Sequence, residues 1–333
     1  MSTVTREIYF VKRPVGMVGV DSFRIESSRL SDLAQGDVLV QIRYLSVDPY
    51  MRGRMNDNRS YVAPFALNTV MTGGAVGQVI QSRDPAIHEG DWVFGQLPWA
   101  DYALVQGDGL KVLDSSLPPT TALHVLGLTG LTAYFGLLSV GAAKSGDTVV
   151  VSGAAGAVGS VVGQIAKIHG CHVIGIAGSD DKLRMLLDDY GFDEAINYKY
   201  QNVAQILGQI TKGVDVYFDN VGGPISDAVI SHINDFGRIA ICGQIALYNN
   251  VTPDLAPRII LPLLLTRRAT AQGFIVSDYS RDFKLALSQL GHWYSEGRLK
   301  IREDIVQGLE YAPQAFLRLF EGANLGKQLV YLP

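Results

Sequence analysis

Across the first 120 residues, apolar and polar positions alternate in short segments, as at 37–44 (Asp-Val-Leu-Val-Gln-Ile-Arg-Tyr) and 74–80 (Gly-Ala-Val-Gly-Gln-Val-Ile). Gly, Pro and Asp turns separate them, and a period of two with that punctuation predicts a mostly β domain. From Asp147 the pattern changes: apolar runs at 148–151, 171–177, 214–218, 238–242 and 270–276 alternate with stretches of helical spacing. Strands without a polar face, separated by helices, predict a parallel sheet covered on both sides.

Between Gly159 and Ile168 the apolar residues Val161, Val162, Ile165 and Ile168 recur at helical spacing, and Gly170 is placed to end that helix. Ser179 suits an N-cap, with Asp180 and Asp181 in the first turn and Gly191 as the stop. After Gly297 a strand, a short helix (313–321) and a last strand (327–332) follow. They are expected to rejoin the first domain, because an inserted domain leaves the chain termini close together. The resulting expectation is an α/β chain with a β-rich domain at 1–124, a parallel-sheet domain at 125–296 and a returning segment at 297–333. Neither an internal repeat nor a low-complexity segment interrupts it.

The chain has 333 residues, enough for two domains sharing a cleft. Hydrophobic residues at 47% and charged residues at 18% are ordinary for a globular protein. With 28 Lys and Arg against 32 Asp and Glu, the net charge of -4 provides no basic field for nucleic acid or an anionic membrane. Residues 1–20 mix Arg6, Glu7, Lys12, Arg13 and Pro14 without the apolar run of a signal peptide or spanning helix, so a cytoplasmic protein is expected. Cys171 and Cys242 are too few for a disulfide framework and read as buried thiols in a reducing compartment.

The chemistry concentrates first at Gly153-Ala-Ala-Gly156-Ala157-Val158-Gly159, which lies between an apolar strand and the helix at 159–168. A pyrophosphate needs backbone N–H groups unobstructed by Cβ atoms, a tight turn and the positive end of a helix dipole, and this spacing provides them. The next strand ends at Ala177-Gly178-Ser179, where an NAD enzyme would offer an acid to the ribose hydroxyls. Instead Lys182 follows three residues on, and Asn197-Tyr198-Lys199 closes the following strand, so a cation and a phenol are available for a ribose phosphate. Two readings stay open: Lys182 reads equally as a solvated partner of Asp180 and Asp181, and those acids keep NAD in play.

The cluster His169-Gly-Cys171-His172 straddles a helix end and a strand whose neighbours face opposite ways, so no metal site is expected. Cys242 at a strand end reads as a small packing residue, and no Ser sits in a GxSxG elbow. Phenols in turn-like settings are the remaining candidates: Tyr50 after Asp48-Pro49, Tyr61 before Pro64, and Tyr248 before Asn249-Asn250. Each can donate a proton, and each can equally pack its ring and wet its hydroxyl.

Taken together, the sequence blocks resemble the zinc-independent medium-chain reductases that reduce conjugated double bonds, among them curcumin, leukotriene and prostaglandin, and alkenal reductases. The resemblance covers nearly the whole chain. It runs through 47–54 (Val-Asp-Pro-Tyr-Met-Arg-Gly-Arg), 127–134 (Gly-Leu-Thr-Gly-Leu-Thr-Ala-Tyr), the glycine turn, 218–223 (Phe-Asp-Asn-Val-Gly-Gly), 237–243 (Gly-Arg-Ile-Ala-Ile-Cys-Gly), 272–275 (Gln-Gly-Phe-Ile) and 324–327 (Asn-Leu-Gly-Lys). It implies a Rossmann doubly wound parallel sheet flanked by a β-rich GroES-like domain. It also implies NADPH as cofactor, with Lys182 and Tyr198 on its 2′-phosphate.

Thr129, Asn220, Gly243 and Asn324 would lie along the pyrophosphate, ribose and nicotinamide, and Phe274 and Val276 would meet the carboxamide through their backbone. Ser179 and Cys242 complete the cofactor set. Tyr248 and Tyr50 would stand beside the substrate carbonyl, with Tyr61 a weaker match. Asp48-Pro49-Tyr50 occupies the segment where a zinc enzyme would carry its Cys. Reduction of an α,β-unsaturated ketone or aldehyde in a homodimer paired through 268–276 is therefore expected. A quinone reductase, a non-catalytic NADPH-binding scaffold, and a sheet edge guarded by Arg267 and Arg268 are the rival readings.

Overall fold

The computed structural model describes residues 3–250 and 260–333. They divide into two compact units. One comprises the described residues up to Leu123 with Glu303–Asn324 and Gln328–Pro333, and the other His124–Arg302 with Leu325–Lys327.

The first unit is built on antiparallel sheets. Val4–Phe10 pairs with Phe23–Arg29 on one side and Thr69–Val70 on the other. A seven-stranded sheet runs Glu303–Gln307, Lys327–Tyr331, Asp37–Ser46, Thr72–Ser82, Trp92–Pro98 and Leu110–Val112, with Tyr102–Gln106 paired to Asp37–Ser46. Register shifts in the pairing of Asp37–Ser46 with Thr72–Ser82 bend the sheet. Its core gathers Ile8, Phe10, Ile42, Met51, Trp99 and Phe316.

The second unit is a six-stranded sheet in the order Glu194–Asn197, His172–Ala177, Thr148–Ser152, Val214–Asp219, Ile233–Ile241, Thr270–Gly273. Every strand pair is parallel. Successive side chains of these apolar strands feed two separate cores, since a strand turns alternate residues to opposite faces. Val149, Val151, Val173, Val216 and Phe218 enter one core, while Val150, Ile174, Ile176 and Tyr217 enter the other. Helices Leu128–Phe135, Gly159–Ile168 and Phe283–Ser295 cover the first face, and Val203–Ile210, Gly223–Ile230 and Ile260–Arg267 the second. The α/β class read from the alternation of strands and helices is the one observed: one unit is a parallel doubly wound sheet and the other is β-rich.

The helix at Gly159–Ile168 has the predicted bounds but is buried from Gly159 through Ala166, with no solvated face there. Gly170, at φ +77°, closes it in the left-handed region. Two strands differ from the sequence reading. Ile233–Ile241 starts five residues earlier than 238–242 because Phe236 takes φ +60° and the register against Val214–Asp219 shifts there. Thr270–Gly273 stops short of 276 because Phe274 leaves the ladder to pack edge-on against Phe218, and a 3₁₀ turn begins at Val276.

Because Ile174 is fully buried in the core on one sheet face, Ile174→Ala is expected to lower stability in urea denaturation by about 3 kcal/mol. A loss below about 1 kcal/mol would mean that this face is not the close-packed core described.

Candidate active site

The C-terminal ends of the parallel strands carry most of the predicted site residues, because each strand there hands over to a loop whose backbone groups are free of the ladder. After Thr148–Ser152 the chain turns at Gly153 (φ +58°) and enters the helix at Gly159. A Cβ on Gly159 would sit 2.4 Å from the Gly153 carbonyl oxygen and 2.8 Å from Ala154 Cα. The turn is thus too tight for any side chain at that position, and Gly156, Ala157 and Val158 follow it around. Gly326 N donates to Ala155 O at 3.2 Å, tying residue 326 to this turn. Such a cradle, opening a ten-residue helix, fits a dinucleotide pyrophosphate.

Asp219 organises the neighbouring strand end. Its buried carboxylate accepts six hydrogen bonds: Oδ1 from Ser152 Oγ (3.2 Å), Tyr217 Oη (2.9 Å), Val221 N (3.0 Å) and Gly222 N (2.9 Å), and Oδ2 from Ser226 Oγ (2.6 Å) and Gln244 Nε2 (3.0 Å). Burial, reinforced by the Asp219 charge, pushes the Tyr217 phenol well above its ordinary range and keeps it a donor. Asn220 is held across the same gap, its Nδ2 donating to Ser152 O at 2.7 Å. Cys242 N and Gly243 N donate to the Asp219 carbonyl at 2.9 and 3.0 Å.

Tyr248 belongs to this cluster. It caps the 3₁₀ turn Ile245–Leu247, and its hydroxyl accepts from Gln244 N at 3.3 Å. A Cβ on Gly243 would approach both that hydroxyl and the Asn220 carbonyl to 3.2 Å. Burial raises the Tyr248 phenol above its usual range, against the lowering effect of the Gln244 N–H.

Thr129 is linked to the turn through His124: its Oγ1 donates to His124 O at 2.9 Å, and the His124 ring bonds Ala157 O at 3.1 Å. Phe274 packs on Phe218, and Val276 is buried with Leu131 and Phe135. Ser179 caps the helix Asp180–Arg184 by accepting from Lys182 N at 3.4 Å. Tyr198 follows Glu194–Asn197, the strand paired in register with His172–Ala177, and its ring lies against Gly178. Asp181 bonds Arg184, and Asp180 accepts from Asn197 and Tyr200.

The other candidates lie in the first unit. Tyr50 opens the short helix Tyr50–Arg54 rather than a turn. Burial and the charge of Asp48 push its phenol up, with Arg54 acting in the opposite sense. Tyr61 is 62% exposed. Asn324 also falls in this unit. His169 stacks edge-on against Trp293, Cys171 donates to Lys144 O, and His172 faces Asp193, so these three side chains serve different neighbours.

Sequence reasoning missed Asp219, Ser152, Gln244 and His124. For Asp219 a signal existed: an acid ends the apolar run at 214–218, where burial requires donors to answer it. Ser152, Gln244 and His124 are ordinary residues in sequence, and only the fold brings them to the strand ends.

A parallel doubly wound sheet with a glycine cradle and polar strand ends is the arrangement of a nucleotide-binding domain. The N-terminal domain of oxidoreductase matches residues 6–113, and zinc-binding dehydrogenase matches 157–291. The NADPH-dependent curcumin reductase of Escherichia coli is 40% identical over 98% of this chain and 96% of its own. The NADP-dependent 2-alkenal reductase of Nicotiana tabacum is 41% identical over 88% of this chain and 87% of its own. The crystal structure of CurA from Vibrio vulnificus in complex with NADPH superimposes with a TM-score of 0.92, at 42% identity over 98% of this chain and 99% of that one. The chain belongs to the zinc-independent medium-chain dehydrogenase/reductase family of these reductases, and is an NADP-dependent oxidoreductase.

Two measurements check the geometry. Asp219→Asn leaves one acceptor oxygen where six donors converge, and is expected to cost about 3 kcal/mol in urea denaturation; a cost under about 1 kcal/mol would contradict the network. Burial pushes the Cys242 thiol to about 12 and the Cys171 thiol to about 11. At pH 8 both are therefore almost wholly protonated, and iodoacetamide should label neither until the protein is unfolded. Rapid labelling of the native protein would contradict the raised ionisation of the buried Cys171 and the half-buried Cys242.

Proposed function

We propose that the protein reduces the conjugated carbon–carbon double bond of α,β-unsaturated ketones and aldehydes with NADPH. Tyr248 carries this reading: a half-buried phenol, kept protonated by burial, held beside Asn220 and Gly243 at the same sheet edge as the glycine cradle. The relatives named for curcumin and 2-alkenal reduction support the substrate class.

In this reading residues 125–296 bind the cofactor, and 1–124 with 297–333 form the substrate domain. The backbone of Gly153, Gly156, Ala157, Val158 and Gly159 takes the pyrophosphate. Lys182 and Tyr198 take the 2′-phosphate, with Ser179 beside them. Thr129, Asn220, Cys242, Gly243 and Asn324 line the rest of the cofactor, and Phe274 and Val276 hold its carboxamide through their backbone. NADPH supplies the hydride for the β-carbon.

Tyr248 donates a hydrogen bond to the substrate carbonyl oxygen, where negative charge develops as the double bond is reduced. A donor fixed in a half-buried site stabilises that charge without reorganising. The α-carbon takes its proton from Tyr248 or from solvent. Tyr50 is assigned the same kind of donation, and Tyr61 a lesser part. None of these steps needs a charged side chain, which suits a site of neutral donors. A homodimer joined through 268–276, the stretch that contains the edge strand Thr270–Gly273 of the six-stranded sheet, completes the reading.

Tyr248→Phe is expected to lower kcat/KM for a small enone by about tenfold to a hundredfold. The product should be the saturated ketone. Because the phenol ionises above its ordinary value, the folded enzyme should keep this contribution through pH 9 and lose it only as pH rises past that raised value. Unchanged kcat/KM in both Tyr248→Phe and Tyr50→Phe removes the phenols from the mechanism, and an allylic alcohol as product removes the double bond as the target.

A further inference from the structure

Two features near Lys182 and Tyr198 have no part in the cofactor contacts assigned above. The first is Gly178, at the end of His172–Ala177. A Cβ built on it would come within 2.9 Å of both Tyr198 Cε1 and Tyr198 Oη and 3.0 Å of Tyr198 Cζ. The phenol therefore occupies the space that any side chain at 178 would fill. Its backbone is fixed independently, with Tyr198 N donating to Ala177 O at 3.2 Å, so an intruding methyl has to be relieved by moving the ring.

The second feature is Asp180. An acid just past the second strand of such a sheet is the group that hydrogen-bonds the ribose hydroxyls of NAD, and its charge opposes a 2′-phosphate. Here the carboxylate oxygen Oδ1 accepts from Tyr200 Oη at 2.6 Å and from Asn197 Nδ2 at 3.0 Å. Asn197 is almost fully buried and ends the adjacent strand. Its amide is therefore an anchored donor, drawing Asp180 toward the end of that strand.

We infer that NADPH selectivity in this chain is set by Gly178, whose missing side chain seats the Tyr198 phenol, and by Tyr200 with Asn197, which restrain the Asp180 carboxylate. The inference rests on the assignment of Lys182 and Tyr198 to the 2′-phosphate. The two hydrogen bonds also hold Asp180 below the usual carboxylate range, so it stays charged, and its position rather than its protonation decides the repulsion. All of these residues act on the same end of the cofactor. They lie away from Tyr248 in sequence and share none of its partners.

Binding of NADPH and NADH, followed by quenching of tryptophan fluorescence, tests this without turnover. Titration calorimetry with adenosine 2′,5′-bisphosphate and 5′-AMP isolates the ribose end. Gly178→Ala should weaken NADPH and the bisphosphate by about tenfold while leaving NADH and 5′-AMP within about twofold. Adding Tyr198→Ala to Gly178→Ala should bring no further loss, since both remove the same seated phenol. Tyr200→Phe, at an exposed position that the core does not need, should weaken NADPH by about threefold, and Asp180→Asn in that background should reverse the loss.

Lys182→Ala separates the two levels of the reading. If it lowers the NADPH preference while Gly178→Ala and Tyr200→Phe leave the preference at the wild-type value, the inference is overturned and the phosphate assignment stands. If Lys182→Ala leaves the preference unchanged, the assignment fails and the inference with it. A preference moved by only one of the two variants overturns the part given to the other.

Discussion

A carboxylate removed from water has to be answered by donors, and the Asp219 carboxylate is answered at both oxygens by side chains and backbone from three stretches of the chain. That requirement shapes the sheet edge. Ser152 ties in the first strand of the sheet, Tyr217 and Ser226 the strand and helix on either side of Asp219, and Gln244 the loop that carries Tyr248. Removing a donor leaves a buried charge less fully answered, at a cost in stability. The polar end of an otherwise apolar sheet is thereby held in one arrangement, and Asn220, Gly243 and the Tyr248 hydroxyl take their positions from it.

The glycine cradle is the complementary constraint. At Gly159 the limit is steric: no Cβ fits against the Gly153 carbonyl. Gly178 applies the same principle at the end of His172–Ala177, where the space left by hydrogen is filled by the Tyr198 ring. One glycine lets the turn close on its own backbone, and the other leaves room for an aromatic ring.

Much of this was legible in the sequence. Runs such as Val149-Val150-Val151 announce strands buried on both faces, and the bounds of the helix at Gly159–Ile168 follow from apolar spacing and a closing glycine. Legibility failed where an interaction is non-local. The early start of Ile233–Ile241 depends on a positive φ at Phe236, a non-glycine residue whose conformation no period reveals. Thr270–Gly273 ends early because Phe274 finds Phe218, a partner far away in sequence. In the site, Lys182 and Tyr198 stood out by chemistry, whereas Ser152 and Gln244 matter only because strand order brings them to Asp219. Asp180 was visible as an acid, but the donors from Asn197 and Tyr200 that restrain it were not.

The central chemical claim is that the reacting bond is the conjugated double bond, with neutral phenols managing the charge that gathers on the carbonyl oxygen. The most direct check is to run the reaction with NADPH deuterated at the transferable C4 position and an enone that carries distinguishable β- and carbonyl carbons, and to locate the label by NMR. The account predicts deuterium at the β-carbon of a saturated ketone, with the α-proton drawn from solvent-exchangeable hydrogen. Deuterium on the carbonyl carbon of an allylic alcohol would contradict it.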